Sequence, residues 1–176
     1  NGKTSTKDIL GSLLKVHYIT QKTMGNYNNE IGVPLTLLSF DENVEAAVVE
    51  MGMENLGELS FLTHLVEPDM AILTNVGTAH LENLGSMENI AKAKVEIVES
   101  LKPGSLFIYN GDDDYLKKAV VEKVIPGYVR IKTFGETAKN HCQVSDIHQK
   151  MTGLQFDLNG VMYQLDMIGR HNAINA

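Results

Sequence analysis

Short apolar runs alternate with helical stripes along the first two thirds of the chain. Apolar residues repeat at spacings of three and four, which predicts helices, over residues 4–16, 59–66, 86–101 and 115–124. Continuous apolar runs, typical of strands buried on both faces, occupy residues 46–49, 70–73 and 106–109. This alternation predicts an α/β fold with a mostly parallel sheet and helices on both faces.

The pattern changes near residue 128, where short strands are predicted over residues 128–131, 142–147, 154–158 and 161–167. Asn159-Gly160 is a hairpin signal between the last two, so a small antiparallel region is expected near the C-terminal end. Residues 23–33 form a polar loop, after which Pro34 is expected to open a short helix over 35–38. The sequence shows no linker or repeat, which favours one domain over residues 1–176.

The charge balance excludes some partners. The 176 residues carry 15 Lys and Arg against 22 Asp and Glu, a net charge of -7, which argues against nucleic-acid binding. No apolar run approaches the roughly 18 residues of a membrane helix, so no membrane partner is expected. The single Cys142 is expected to be a buried or half-buried thiol in a reducing compartment, which favours the cytoplasm. A targeting segment ahead of Asn1 stays open, because the sequence starts inside a motif.

The chain begins with Asn1-Gly2-Lys3-Thr4, which matches the second half of a phosphate-binding loop. In such loops backbone amides and the lysine receive a triphosphate, and the hydroxyl reaches Mg²⁺. The position of the motif at a predicted helix start favours nucleotide binding and a fold like that of the P-loop NTPases. The alternative is a solvated helix start, because the tripeptide also occurs by chance.

Two further side chains follow predicted strands. Glu50 comes directly after one buried strand, and His80 ends the small-residue loop that follows the strand before Thr74. Parallel strands bring their carboxyl ends to one edge of a sheet, where ligands bind and where a carboxylate can hold Mg²⁺. Taken singly, each is more often an ordinary surface residue, so the prediction rests on their convergence with Lys3.

Lys94 lies on the apolar stripe of the helix predicted over 86–101, between Ile90 and Ile97. Lys92 lies about 200° around the helix and can be solvated. Lys94 therefore either packs its stem and extends its ammonium to water, or meets a phosphate or metal, as an amine or as a carbamate. The two interpretations have equal weight.

A last group of polar residues opens the helix predicted at the C-terminal end. His171, Asn172 and Asn175 can recognise the edge of a nucleobase, because amides donate and accept hydrogen bonds at once. The alternative, which the sequence alone favours, is that Asn172 simply caps the helix.

Together these motifs resemble the Mur ligase family, in order and spacing across the whole chain. The matching segments are Asn1-Gly2-Lys3-Thr4-Ser5-Thr6-Lys7-Asp8, Gly25-Asn26-Tyr27-Asn28-Asn29-Glu30-Ile31-Gly32-Val33-Pro34, Val49-Glu50-Met51-Gly52-Met53, Thr74-Asn75-Val76-Gly77-Thr78-Ala79-His80, Ala91-Lys92-Ala93-Lys94 and Gly169-Arg170-His171-Asn172-Ala173-Ile174-Asn175. The second and third segments are similar to the branch of the family that joins D-alanyl-D-alanine to UDP-N-acetylmuramoyl-tripeptide.

The resemblance implies that residues 1–176 are the central ATP-binding domain of a three-domain enzyme that uses ATP and Mg²⁺. It implies catalytic roles for Lys3, His80 and Lys94, and Mg²⁺ ligands from Thr4, Glu50, His80 and Lys94, the last of these as a carbamate in several family members. Nucleotide contacts are implied for Asn1, Gly2, Lys3, Thr4, Asn28, Asn29, Glu30, His171, Asn172 and Asn175, with Asn28, Asn29 and Glu30 near the γ-phosphate and the acceptor carboxylate.

The implied reaction activates the tripeptide carboxylate as an acyl phosphate, which the amine of D-alanyl-D-alanine then attacks. The expected partners are these small molecules, and the protein is expected to be a cytoplasmic monomer in peptidoglycan precursor synthesis. Three alternatives stay open: another Mur ligase, a ligase like folylpolyglutamate synthetase, and a nucleotide-binding module without catalysis.

Overall fold

A computed structural model describes all 176 residues, which form seven α-helices, one 3₁₀ turn and eight strands. The helices are α1 (Lys3–Leu14), α2 (Gly32–Leu38), α3 (Glu58–Val66), α4 (Leu81–Leu84), α5 (Met87–Val95), α6 (Asp114–Glu122) and α7 (His171–Asn175). The strands are β1 (Thr20–Lys22), β2 (Ala46–Val48), β3 (Met70–Leu73), β4 (Leu106–Asn110), β5 (Arg130–Gly135), β6 (Cys142–Lys150), β7 (Gly153–Leu158) and β8 (Val161–Leu165). The 3₁₀ turn, Glu96–Val98, continues α5.

The strands form two sheets. β1 and β2 pair in parallel, and the larger sheet has the order β3-β4-β5-β6-β7-β8. Its first four strands are parallel to their neighbours, whereas β6-β7 and β7-β8 are antiparallel. Asn159 and Gly160 both have positive φ, 51° and 88°, at the turn between β7 and β8, as a tight hairpin requires. The structure thus confirms the mostly parallel α/β fold and the antiparallel region near the C-terminal end.

The main core lies where β3 and β4 meet α3, α5 and α6. Seventeen buried apolar residues form it, among them the fully buried Phe107 of β4 and Leu116 of α6. A smaller cluster of four, Val144, Leu154, Phe156 and Ala173, packs α7 against the antiparallel strands. No helix is both long enough and apolar enough to span a bilayer.

Several predicted bounds were wrong for local reasons. The helix expected over 86–101 is α-helical only to Val95, where a run containing the β-branched Val95, Ile97 and Val98 tightens into the 3₁₀ turn. α2 begins at Gly32, two residues before Pro34, because Asn29 accepts bonds from the amides of Gly32 and Val33.

Other differences concern strands. The strand predicted at 128–131 begins at Arg130 and runs to Gly135, and β8 ends at Leu165. β1 and α4 had no apolar pattern to predict them. β2 is half-exposed rather than buried.

Candidate functional site

The start of α1 is tied to the end of β3. Gly2 has φ 81°, a left-handed conformation that suits glycine, and α1 begins at Lys3. The carbonyl of Asn1 accepts hydrogen bonds from Thr74 Oγ1 at 2.8 Å and from Asn75 Nδ2 at 3.1 Å. The helix N-terminus therefore lies beside the loop that follows β3, with its first amide groups free of intrahelical partners.

Glu50 joins this group from β2. Its carboxylate is buried, and Oε1 accepts hydrogen bonds from Thr4 Oγ1 at 3.3 Å and from Asn28 Nδ2 at 3.0 Å. The backbone amide of Glu50 donates to Thr23 Oγ1 at 2.9 Å, which fixes the chain at the point where the strand ends. The structure thus brings Thr4, Asn28 and Glu50 together from three separate segments.

The environment of Glu50 fits a magnesium ion. Its Oε2 is the one buried side-chain polar atom without a hydrogen-bond partner, and the Thr4 hydroxyl lies on the same carboxylate. Mg²⁺ prefers oxygen ligands and is usually held by one or two protein oxygens together with water and phosphate. No three or more His, Cys, Asp or Glu side chains are grouped so that they could hold a metal ion. The donor set is therefore one that would share a magnesium ion with a bound phosphate.

Lys94 is half-buried on the inward side of α5, near Lys3 and Asp113. Burial, helped by the positive charge of Lys3 and opposed by Asp113, lowers the pKa of its ammonium to about 8. Lys92 instead lies at the surface, with Nζ 3.6 Å from Glu122 Oε2. The predicted difference between the two lysines is confirmed.

Asp113 positions the loop that follows β3, a role the sequence did not suggest. Its Oδ2 accepts from the amide of Val76 at 2.6 Å, and its Oδ1 accepts from the amide of Leu116 at 3.1 Å. Because Asp113 is also the N-cap of α6, one side chain holds a helix start and the Val76 loop together. The Asp at position 113 before an amphipathic helix was a visible cap signal, but its link to Val76 was not.

His80 is not connected to Thr4, Asn28 or Glu50. It is exposed at φ 68°, at the start of α4, and no hydrogen bond or ion pair joins it to Thr4, Glu50 or Lys94. The pKa of the Glu58 carboxyl is lowered chiefly by the hydrogen bond from the Glu54 amide, and the charge of His80 makes a small further contribution. A metal-binding or catalytic role for His80 stays a prediction.

Two neighbouring residues of the polar loop before α2, Asn29 and Glu30, have different surroundings. Asn29 Oδ1 accepts from the amide of Gly32 at 2.9 Å, so this side chain shapes the turn. Glu30 is exposed and lines a depression of about 380 Å³, together with residues of α3 and the segment before it: Gly52, Leu56, Gly57, Glu58, Phe61 and Leu62. The amide of Gly52 donates to the carbonyl of Asn28 at 2.6 Å, which connects this depression to the Glu50 carboxylate.

The C-terminal helix also reaches the start of α1. Thr6 Oγ1 donates to the carbonyl of Asn175 at 3.0 Å, and a Cβ added to Gly2 would collide with Asn175 Oδ1. Asn172 is buried, donating from Nδ2 to the carbonyl of Ile168 at 2.8 Å, whereas His171 is exposed. Of the residues predicted for a base edge, Asn175 therefore lies against the start of α1, and its Nδ2 donates to Asn172 Oδ1 at 3.4 Å.

Lys7 is a site residue that the sequence analysis missed. It is buried on α1, and its Nζ lies 3.7 Å from Glu50 Oε2 and donates to the carbonyl of Gly25 at 3.2 Å. A signal was present, because Lys7 follows Lys3 by four residues and so shares its helix face.

Comparison with known proteins gives one consistent result. The Mur ligase middle domain model matches residues 1–176. A UDP-N-acetylmuramoyl-tripeptide--D-alanyl-D-alanine ligase from Bacillus subtilis is 42% identical over 178 residues, covering 100% of this chain and 37% of that protein. The crystal structure I of MurF from Acinetobacter baumannii superposes with a TM-score of 0.89 at 32% identity, covering 99% of this chain and 38% of the other.

The MurF ligase from Thermotoga maritima, solved in complex with ADP, gives a TM-score of 0.84 at 30% identity, with 99% of this chain and 41% of that one covered. The chain thus spans about two fifths of the length of these proteins. Because the family model covers every residue and the matching sequences cover the whole chain, the protein belongs to the Mur ligase family.

Proposed function

We propose that this chain is the ATP-binding domain of a ligase that joins D-alanyl-D-alanine to UDP-N-acetylmuramoyl-tripeptide and releases ADP and phosphate. The observation that carries the proposal is the buried Glu50 carboxylate, bonded to Thr4 at the start of α1 and to Asn28, with one oxygen free of hydrogen bonds. The similarity to the B. subtilis ligase supports this substrate pair over others in the family.

The start of α1 is suited to hold the phosphates of ATP. Its unpaired amides and the helix dipole attract anions, and Lys3 stands in the first turn, half-exposed and without an ion-pair partner. Glu50 and Thr4 would hold the Mg²⁺, which offsets the negative charge of the phosphate oxygens when it is bound. Asn175, which contacts the start of α1, and Asn172 beside it would bind the base of the nucleotide.

The reaction must bring two anions together. A substrate carboxylate oxygen attacks the γ-phosphorus, the bond to the β-phosphate oxygen breaks, and ADP leaves with that electron pair. The amine of D-alanyl-D-alanine then attacks the acyl carbon, loses a proton, and expels phosphate as the amide forms. Lys3 and the amides at the start of α1 would offset this repulsion in the first step, because the ammonium charge and the partial positive charge of the amides stabilise negative charge on a phosphoryl group.

Lys94 is suited to a second role beside this group. An amine whose pKa is lowered to about 8 is partly neutral near that pH, and a neutral amine can add CO₂ and release a proton to form a carbamate. The carbamate of Lys94 would bring a further oxygen ligand to the site. We propose that His80 and Glu30 contact the substrates from the exposed rim, and that the protein works in the cytoplasm as a monomer on small molecules.

The decisive experiment measures ADP release by the full-length protein. UDP-N-acetylmuramoyl-tripeptide and Mg-ATP are supplied with or without D-alanyl-D-alanine, and a single amino acid serves as the comparison amine. Release that requires the dipeptide is the expected result. Release with a single amino acid or a folate would move the protein to another branch of the family, and the absence of any release would leave a nucleotide-binding module.

A further inference from the structure

The helix that begins the phosphate site buries two charges against each other. The side chains of Lys7 and Glu50 are 5% and 4% exposed, and Lys7 Nζ lies 3.7 Å from Glu50 Oε2. Lys7 is the only cationic side chain within 4 Å of that carboxylate. A buried carboxylate without a counter-charge is strongly unfavourable, so Lys7 compensates Glu50 as long as no metal ion does.

The geometry of this pair is unusual in one respect. Lys7 Nζ gives its hydrogen bond to the carbonyl of Gly25 at 3.2 Å, not to Glu50, and Glu50 Oε2 is left without any donor. The ammonium therefore supplies charge to the carboxylate without occupying its lone pairs. An oxygen that is electrostatically compensated but not hydrogen-bonded is ready to bind a cation without first breaking a bond.

We propose that Lys7 is a positioning residue that holds Glu50 in place for Mg²⁺ and sets how tightly the ion binds. The positive charge of Lys7 balances the negative charge of Glu50 when no metal ion is bound. Once Mg²⁺ is bound, the same positive charge repels the ion and weakens its binding. Through Gly25 it also ties α1 to the polar loop that carries Asn28, the other donor to Glu50. The inference rests on the proposed function only in taking Glu50 as the Mg²⁺ ligand.

The test compares Lys7→Met with wild type in the full-length protein without nucleotide. Methionine keeps most of the stem and removes the charge, so Glu50 should become dependent on the metal for compensation. We expect a lower melting temperature without Mg²⁺, a larger rise on adding Mg²⁺, and a Mg²⁺ dissociation constant about tenfold lower by calorimetric titration, because a nearby positive charge has been removed.

Lys22→Met is the matched control. Lys22, the last residue of β1, pairs at 2.6 Å with Asp8 of α1, so Lys22→Met removes the same charge from beside a carboxylate other than Glu50. It should leave the response to Mg²⁺ unchanged. The double variant Lys7→Met/Glu50→Gln should regain stability without Mg²⁺ and lose the enlarged response.

A purely structural role for Lys7 would lower the melting temperature equally with and without Mg²⁺, and that result would overturn the proposal. If Lys7→Met does not fold, the double variant decides: folding supports the electrostatic role, and failure to fold refutes it. These readouts are independent of the amine substrate, so a different outcome in the ADP-release assay leaves them interpretable.

Discussion

Glu96 links the 3₁₀ turn that continues α5 to the start of α3, which borders the depression lined by Glu30, and its removal tests this link. Its buried carboxylate accepts from the amide of Gly57 with both oxygens, at 2.9 and 3.0 Å, and from the amide of Ser60 at 3.2 Å. These amides lie at the start of α3. The N-cap residue of α3 is Gly57, which has no side chain that could accept their hydrogen bonds. Glu96 thus caps a neighbouring helix from a distance in sequence.

The cost of Glu96→Ala follows from these contacts. A hydrogen bond to a charged group contributes about 1.5–3 kcal/mol, and two amides lose such a partner, so we expect the free energy of unfolding to fall by about 3–6 kcal/mol. Glu96→Gln keeps one acceptor oxygen and loses the charge at the helix N-terminus, so it should cost about half as much. The substitution should also release the segment before α3, where Gly57 and Glu58 line the depression.

Urea unfolding followed by circular dichroism measures this change, and hydrogen exchange at the Gly57 and Ser60 amides locates it. Glu122→Ala is the control, because Glu122 is a half-exposed partner of Lys92 at 3.6 Å and such pairs contribute less than about 1 kcal/mol. A loss of less than about 1 kcal/mol in Glu96→Ala, with unchanged exchange at both amides, would refute the capping argument.

Three other substitutions test the phosphate site. Lys3→Ala should abolish ADP release while urea unfolding stays as in wild type, because Lys3 is half-exposed and outside the core; wild-type turnover would contradict the phosphate-loop assignment. Gly2→Ala should weaken ATP binding in calorimetric titration, because φ 81° and Asn175 both oppose a Cβ, and unchanged affinity would argue against this. The pKa of Lys94 is about 8 when folded and near 10.5 when unfolded, so the unfolded state binds more protons between these pH values. Wild-type stability should therefore rise across this pH range by about 3 kcal/mol relative to Lys94→Met, as measured by urea titrations at several pH values. Equal pH profiles would contradict the burial of Lys94. Activity should also depend on bicarbonate, with mass spectrometry finding the carbamate; full activity in CO₂-free alkaline buffer would count against the modification.

The sequence predicted most of the elements because the main core is built from periodic apolar positions. The apolar runs at 70–73 and 106–109 became β3 and β4, and the stripe over 59–66 became α3. Polar or short elements carried no such signal, so β1 and α4 were missed. The inward orientation of Lys94 could be predicted for the same reason, because Lys94 lies on the apolar stripe of its helix.

Contacts between distant segments were not readable. Lys7 with Glu50 and Glu96 with Gly57 join residues 43 and 39 positions apart, counted from their numbers, and no local pattern reports such pairs. α1 shows the limit most clearly: its stripe contains leucines, yet its buried residues are Lys7 and Gly11, and Leu13 is 60% exposed.

The sequence by itself determined most of the helices and strands, the place of Gly2-Lys3-Thr4 at a helix start, and the inward lysine on α5, because local periodicity and backbone preference set these features. Only the tertiary structure decided that Lys7 lies beside Glu50, that one oxygen of Glu50 has no hydrogen-bond donor, and that His80 is exposed and makes no hydrogen bond to Glu50. Those features depend on contacts between segments that are far apart in the chain. Which charges come together in a buried site is therefore decided by the packing of the folded protein and not by local sequence.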